Sequence, residues 1–242
     1  MPYRLLKYAF KDPEELGDPK YFGQPGDLKS NYDVVIIGAG GHGLACAYYL
    51  ARDFGITNVA VLEQGYIGGG NTGRNTTIVR SNYLTPEGVA FYDESLKLYL
   101  DLSDDLDINL MYSTRGHFTL AHSDSAMRTS RWRAETNKHL GIESEMVARH
   151  DAVAWGYGRG AAQRGVEIHQ KTQVTGIKTD ADGSKVLGVE TNRGFVGAGK
   201  VISMVAGSSP RITSMVGLDT PIEIFPLQAC VTEPVKPFMD TI

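Results

Sequence analysis

The sequence predicts an α/β fold: a parallel βαβ unit followed by an antiparallel meander. Three observations predict it. The run Val34 to Ile37 is apolar on both faces, as in a buried parallel strand, and leads directly into the glycine-rich turn Gly38-Ala39-Gly40-Gly41-His42-Gly43. Beyond the turn, Leu44, Ala47, Tyr48 and Ala51 recur at helical spacing, and Val59 to Leu62 gives a second buried strand ending at Glu63. From Gln173 the pattern changes to alternation, with Asp182-Gly183 and Asn192-Arg193-Gly194 as turns.

The remaining elements follow in order. Ile67 to Thr77 is a polar, glycine-rich loop. Pro86 to Leu102 is a helix, with Thr85 as its cap and Pro86 in the first turn. Leu110 to Leu120 holds two short strands around Arg115-Gly116, and Ser123 to Leu140 and Asp151 to Gln163 are helical. Val166 to Ile168 is a short strand. The meander comprises Val174 to Thr179, Lys185 to Thr191 and Phe195 to Val196. Val201 to Val205 is again continuously apolar and precedes Ala206-Gly207-Ser208, and Ile222 to Glu233 reads as extended.

Composition bounds the function. The 242 residues carry a net charge of −4, with 42% hydrophobic and 21% charged residues, as in an ordinary globular protein. There is no basic block, so no nucleic-acid partner is expected. No apolar run approaches the ~20 residues that cross a bilayer. Met1 to Ser30 mixes charged residues with Pro and Gly and lacks the apolar core of a signal peptide. Cys46 and Cys230 form no disulfide framework, and Cys46 falls in the helix pattern as a small buried thiol. These features predict a cytoplasmic protein with no metal site.

The glycines Gly38, Gly40 and Gly43 match the G-x-G-x-x-G fingerprint. Gly38 allows the tight turn, Gly40 lets backbone approach a pyrophosphate, and Gly43 lets helix and strand pack closely. The helix N-terminus offers free N–H groups and a positive dipole end to phosphate. Glu63 stands where it accepts hydrogen bonds from ribose hydroxyls and repels a 2′-phosphate, which disfavours NADP. The βα unit alone does not separate FAD from NAD. The loop Gly68 to Thr77, with its backbone N–H groups, hydroxyls (Thr72, Thr76, Thr77) and Arg74, suits the longer cofactor. So does the meander ending in a strand and Ala206-Gly207. The fold class is therefore an FAD-binding Rossmann-like domain of glutathione-reductase type.

The stretch Gly68 to Leu84 together with Arg149 to Tyr157, RHDAVAWGY, resembles the β subunit of heterotetrameric sarcosine oxidase, and the resemblance runs over essentially the whole chain. It implies a D-amino-acid-oxidase-like flavoprotein with non-covalent FAD and a covalent FMN, here on His150. It implies oxidation of sarcosine, with hydrogen peroxide formed at FMN and a one-carbon unit captured by tetrahydrofolate on the α subunit; γ and δ subunits complete the assembly. A neutral imidazole is a competent nucleophile toward the 8α-methyl carbon of an oxidised flavin, which fits His150. Arg149 would meet a phosphate or flavin anion, and Asp151 would cap the helix or orient the imidazole. The resemblance further implies that Gly41 and His42 touch the FAD pyrophosphate and Glu63 holds the adenosine ribose. Asn71, Arg74, Thr76 and Ile78 would line the path to the isoalloxazine, and Val174 would meet the adenine through its backbone. His117 and His169 match no site and are expected to be structural or solvent-facing.

The domains that the resemblance implies are an N-terminal extension (1–30), the FAD-binding part (31–84 and 148–220) and a partial α+β substrate and FMN domain (85–147 and 221–242). Relative to the family pattern, the chain stops soon after Pro237 and lacks a segment before Ala148. Weak FAD retention and unpaired edges at Val201 to Val205 and Ile222 to Val231 are expected in consequence. Two other readings stay open: a related FAD-dependent amine or amino-acid dehydrogenase, and a non-catalytic FAD-binding fragment.

Overall fold

The computed structural model describes residues 26–81, 83–112, 121, 123–141 and 150–225. Strand β1 (Asn31–Ile37) leads through the glycine turn into α1 (Gly41–Phe54), which returns to β2 (Val59–Leu62). A 3₁₀ turn (Asn71–Arg74), α2 (Pro86–Asp105), α3 (Asp124–His139) and α4 (His150–Ala162) precede β3 (Glu167–His169). Strands β4 (Val174–Thr179), β5 (Val186–Thr191) and β6 (Gly194–Ser203) follow, then the short α5 (Ser209–Thr213).

All six strands form one sheet in the order β3-β2-β1-β6-β5-β4. The pairs β3–β2, β2–β1 and β1–β6 are parallel, while β6–β5 and β5–β4 are antiparallel. Alternate residues of the parallel strands feed two cores. Val34, Ile36, Val59 and Val61 pack with Leu44, Ala47 and Tyr48 of α1 and with Val153, Ala154 and Tyr157 of α4. Val35, Ile37, Ala60 and Leu62 pack with Val174, Val189, Val196 and Ile212. The meander and α5 thus cover the second face, and burial on both faces explains the unbroken apolar runs.

Helix α2 begins at the predicted cap, Thr85 accepting from the Gly88 N–H, and runs one turn beyond Leu102. Helix α3 is capped by Ser123. The separate strands expected at Phe195 to Val196 and Val201 to Val205 are one strand, β6. Its residues 194–197 pair with β5 and its residues 197–203 with β1, so pairing on opposite sides carries the chain through Gly197, Gly199 and Lys200 despite their low strand preference. Val201 to Ser203 are bonded to β1 along one edge only, among the described residues. Residues 222–225 belong to no helix or strand. The strands expected around Arg115-Gly116, and residues 226–233, lie outside the described residues. Cys46 is half-buried, with burial pushing its thiol pKa up. No described helix is long and apolar enough to cross a membrane.

Candidate cofactor site

The site gathers at the carboxyl ends of β1, β2 and β6, where an open α/β sheet forms its ligand crevice. Two glycines are fixed by close approach. Gly38 sits at φ +104, and a β-carbon there would lie 2.6 Å from the Met204 carbonyl oxygen. One on Gly43 would lie 2.0 Å from the Gly38 carbonyl oxygen, so α1 meets β1 at a distance only glycine allows. Helix α1 then presents its N-terminus at the crevice with no acidic residue in its first turn and no side-chain cap from Gly40. Its own first turn therefore supplies nothing to offset the positive end of the dipole.

Glu63 follows β2 and is held by two backbone donors. Ala39 N–H donates to its Oε2 at 2.9 Å and Gly65 N–H to its Oε1 at 2.8 Å. These contacts fix the carboxylate beside the glycine turn while leaving a lone pair on each oxygen for a further donor. The loop beyond is tied to the same turn: Gly68 N–H donates to the Ala39 carbonyl, and Gly73 N–H to that of Gly68. The 3₁₀ turn thereby brings Asn71, Thr72 and Arg74 to the mouth of the crevice, where Gly41 N–H donates to Thr72 Oγ1 at 2.9 Å. Arg74 is exposed and makes no hydrogen bond or ion pair among the described residues. His42 points to solvent at the start of α1.

Farther along, Asn75 ties the loop to itself, its Nδ2 donating to the Thr72 carbonyl and its Oδ1 accepting the Thr77 N–H at 2.7 Å. That turn holds Thr77 at φ +63, strained for a β-branched residue at a cost on the order of 1 kcal/mol. Thr76 and Ile78 flank it, one exposed and one half-buried. Val174 opens β4 with its side chain in the second core and its backbone paired to Thr191. His150 opens α4, and its side chain, like Arg149, lies outside the described residues. One turn on, the Ala154 β-carbon lies 3.5 Å from where a β-carbon on Gly68 would sit. The glycine loop and the helix bearing the RHDAVAWGY segment therefore meet in space.

The sequence reading missed a strap behind Glu63. Thr172 N–H donates to the Glu63 carbonyl at 2.7 Å, Lys171 N–H to that of Gly65, and Glu63 N–H to that of His169. The donors are backbone groups that any residue supplies, so no residue type marks them. It also missed the cluster beneath the strap. The Tyr32 hydroxyl donates to Glu167 Oε2 at 2.6 Å, His169 Nε2 lies 3.1 Å from the same oxygen, and Lys29 Nζ lies 2.5 Å from Oε1. Burial and the Glu167 bond push the Tyr32 pKa up to about 12. Burial lowers that of His169, which is 1% exposed, so the solvent-facing alternative for His169 is wrong. Burial alone would raise the Glu167 pKa, but hydrogen bonds from Lys29, Tyr32 and His169 bring it below the usual range.

A family model described as FAD dependent oxidoreductase matches residues 33–241. The chain belongs to that family. It is 46% identical over 248 residues to the sarcosine oxidase subunit beta of Rhizobium meliloti (strain 1021), covering 89% of this chain and 59% of that one. It is 42% identical over 257 residues to the sarcosine oxidase subunit beta of an Arthrobacter species, covering 93% and 63%. The chain thus spans about three-fifths of the length of these curated relatives. Both matched stretches exceed the 242 residues of this chain, so the relatives hold internal residues without counterparts here. Among solved structures, the L-proline dehydrogenase of P. horikoshii superposes with a TM-score of 0.71 at 21% identity, covering 81% of this chain and 58% of that one, which supports the fold.

Proposed function

We propose that this chain is the FAD-binding part of a sarcosine-oxidase β-type subunit. Gly41 and His42 at the α1 N-terminus hold the pyrophosphate, with Ala39, Gly40 and Thr72 beside it. Glu63 accepts from the adenosine ribose, and the Val174 backbone meets the adenine. Asn71, Arg74, Thr76, Thr77 and Ile78 lead toward the isoalloxazine. The observation that carries the cofactor reading is the Ala39–Glu63–Gly65 clamp, which fixes a carboxylate at the phosphate-binding turn. The residues fit the group: a helix N-terminus with no carboxylate in its first turn, an acceptor for a diol and the exposed Arg74 guanidinium belong to the glycine turn and the loop tied to it.

The substrate assignment, sarcosine, rests on the 46% and 42% identities to named sarcosine oxidase subunits. The reaction is oxidation of sarcosine to glycine, with hydrogen peroxide and a one-carbon unit for tetrahydrofolate. FAD supplies the hydride acceptor, and an FMN bonded to His150 supplies the reaction with oxygen. The α, γ and δ subunits are the partners in a cytoplasmic heterotetramer. Residues 31–84 and 148–220 form the FAD domain, 85–147 and 221–242 part of the substrate and FMN domain, and 1–30 an extension.

The test is to express the chain with and without these partners, denature it, and look for flavin fluorescence that survives precipitation. Covalent FMN on a peptide containing His150, lost in His150→Ala while releasable FAD is kept, supports the reading. Flavin released entirely on denaturation removes the FMN part. No flavin at all leaves a non-catalytic fragment.

A further inference from the structure

The first helical N–H of α1 is not free in the structure. We propose that the Thr72 hydroxyl is a place-holder for a phosphate oxygen: it caps α1 in the cofactor-free protein and gives up the Gly41 N–H when a dinucleotide binds. The inference rests on the cofactor reading above and adds a competition within that site.

Helix α1 has no cap of its own, since Gly40 has no side chain and the first turn has no carboxylate. The acceptor comes instead from outside the helix, across 31 residues of sequence, at 2.9 Å. The approach is close: a β-carbon on Gly40 would lie 3.2 Å from Thr72 Oγ1. The turn that delivers the hydroxyl is anchored to the fingerprint by the Gly68–Ala39 and Gly73–Gly68 backbone bonds, so the contact is built into the loop. One N–H serves one strong acceptor well, and a charged phosphate oxygen is the stronger of the two. The loop needs only a side-chain rotation at Thr72 to release it, and Thr72 is half-exposed at the rim.

Thr72→Val removes the oxygen and keeps the shape, while Thr72→Ser keeps the oxygen. In cofactor-free chain, Thr72→Val lowers the melting temperature by about 2–4 °C, as loss of an N-terminal cap does in a domain of this size. FAD, titrated by quenching of its fluorescence, binds the valine variant about threefold to tenfold more tightly, because no hydroxyl competes. At saturating FAD the melting temperatures of parent and variant converge. Thr72→Ser matches the parent throughout. Weaker FAD binding by Thr72→Val overturns the proposal, since the hydroxyl would then be a ligand of the bound cofactor. Equal cofactor-free melting temperatures overturn it as well. A parent chain that takes up no FAD defeats the cofactor reading and this competition with it, even where the melting difference persists.

Discussion

Helices α1 and α3 are similar in length, 14 and 16 residues, and differ in what holds them. Helix α1 buries Gly43, Leu44, Ala47, Tyr48 and Ala51 against the sheet and α4. Helix α3 buries only Thr136 and Asn137 among the described residues, and exposes Met127 and Trp132, the latter at 64%. Asn137 Oδ1 is buried with no hydrogen-bond partner among the described residues. The first helix is placed by an apolar stripe that has one place to go. The second is specified locally, by the Ser123 cap and by Lys138 and His139 in its last turn, which complement the dipole. Local signals make a helix without saying where it packs.

The comparison breaks first at Gly43. Gly43→Ala drives a methyl into the Gly38 carbonyl, a backbone atom that cannot rotate away, and is expected to cost about 3 kcal/mol or more. Denaturant melts followed by circular dichroism check this, and a near-parent midpoint would show that α1 can lift off β1. The paired truncations Leu44→Ala and Met127→Ala sharpen the contrast. The first empties a fully buried site and should cost about 2–5 kcal/mol, the second about 0.5 kcal/mol or less. Similar losses at the two positions would mean that α3 is as tightly packed as α1.

The smallest effect concerns pH at the edge of the sheet. Burial lowers the His169 pKa, so on acidification the unfolded chain takes up its proton first. Stability from this group is complete above the unfolded value of about 6.5 and falls as pH drops toward the lower folded value. Glu167, also depressed, adds a loss of the same sign below about 4.5. His169→Gln should flatten the dependence between pH 7 and pH 5 and leave the steeper acid limb. An unchanged slope in urea midpoints across that range would remove His169 as its source.

Much of this was legible in the residues. The strand, turn and helix from Val34 to Ala51 combine two periodicities with glycines that have no substitute, and Glu63 ends the next apolar run. These signals are local, so they survive in one sequence. Strand β6 looks like two pieces in the sequence because Gly197, Gly199 and Lys200 break its pattern, and the partner that overrides them, β1, lies far back in the chain. The Thr172–Glu63 strap uses backbone donors and leaves no trace in residue type. The Tyr32–Glu167–His169 cluster depends on β1 and β3 being two strands apart in one sheet, a tertiary fact.

That long reach of β6 also sets a timetable. Val35 pairs with Val201, so the central strand of the sheet lacks one neighbour until the chain has been made as far as Val201. At ribosomal rates of about 5–20 residues per second the wait is roughly ten to thirty seconds. Throughout it, β1 and β2 offer an open parallel edge lined by Val34, Val35 and Ile36, a surface that other nascent chains can pair with. Slower elongation before Gly194, or fewer chaperones, should therefore raise the yield of aggregate without changing the stability of the finished fold.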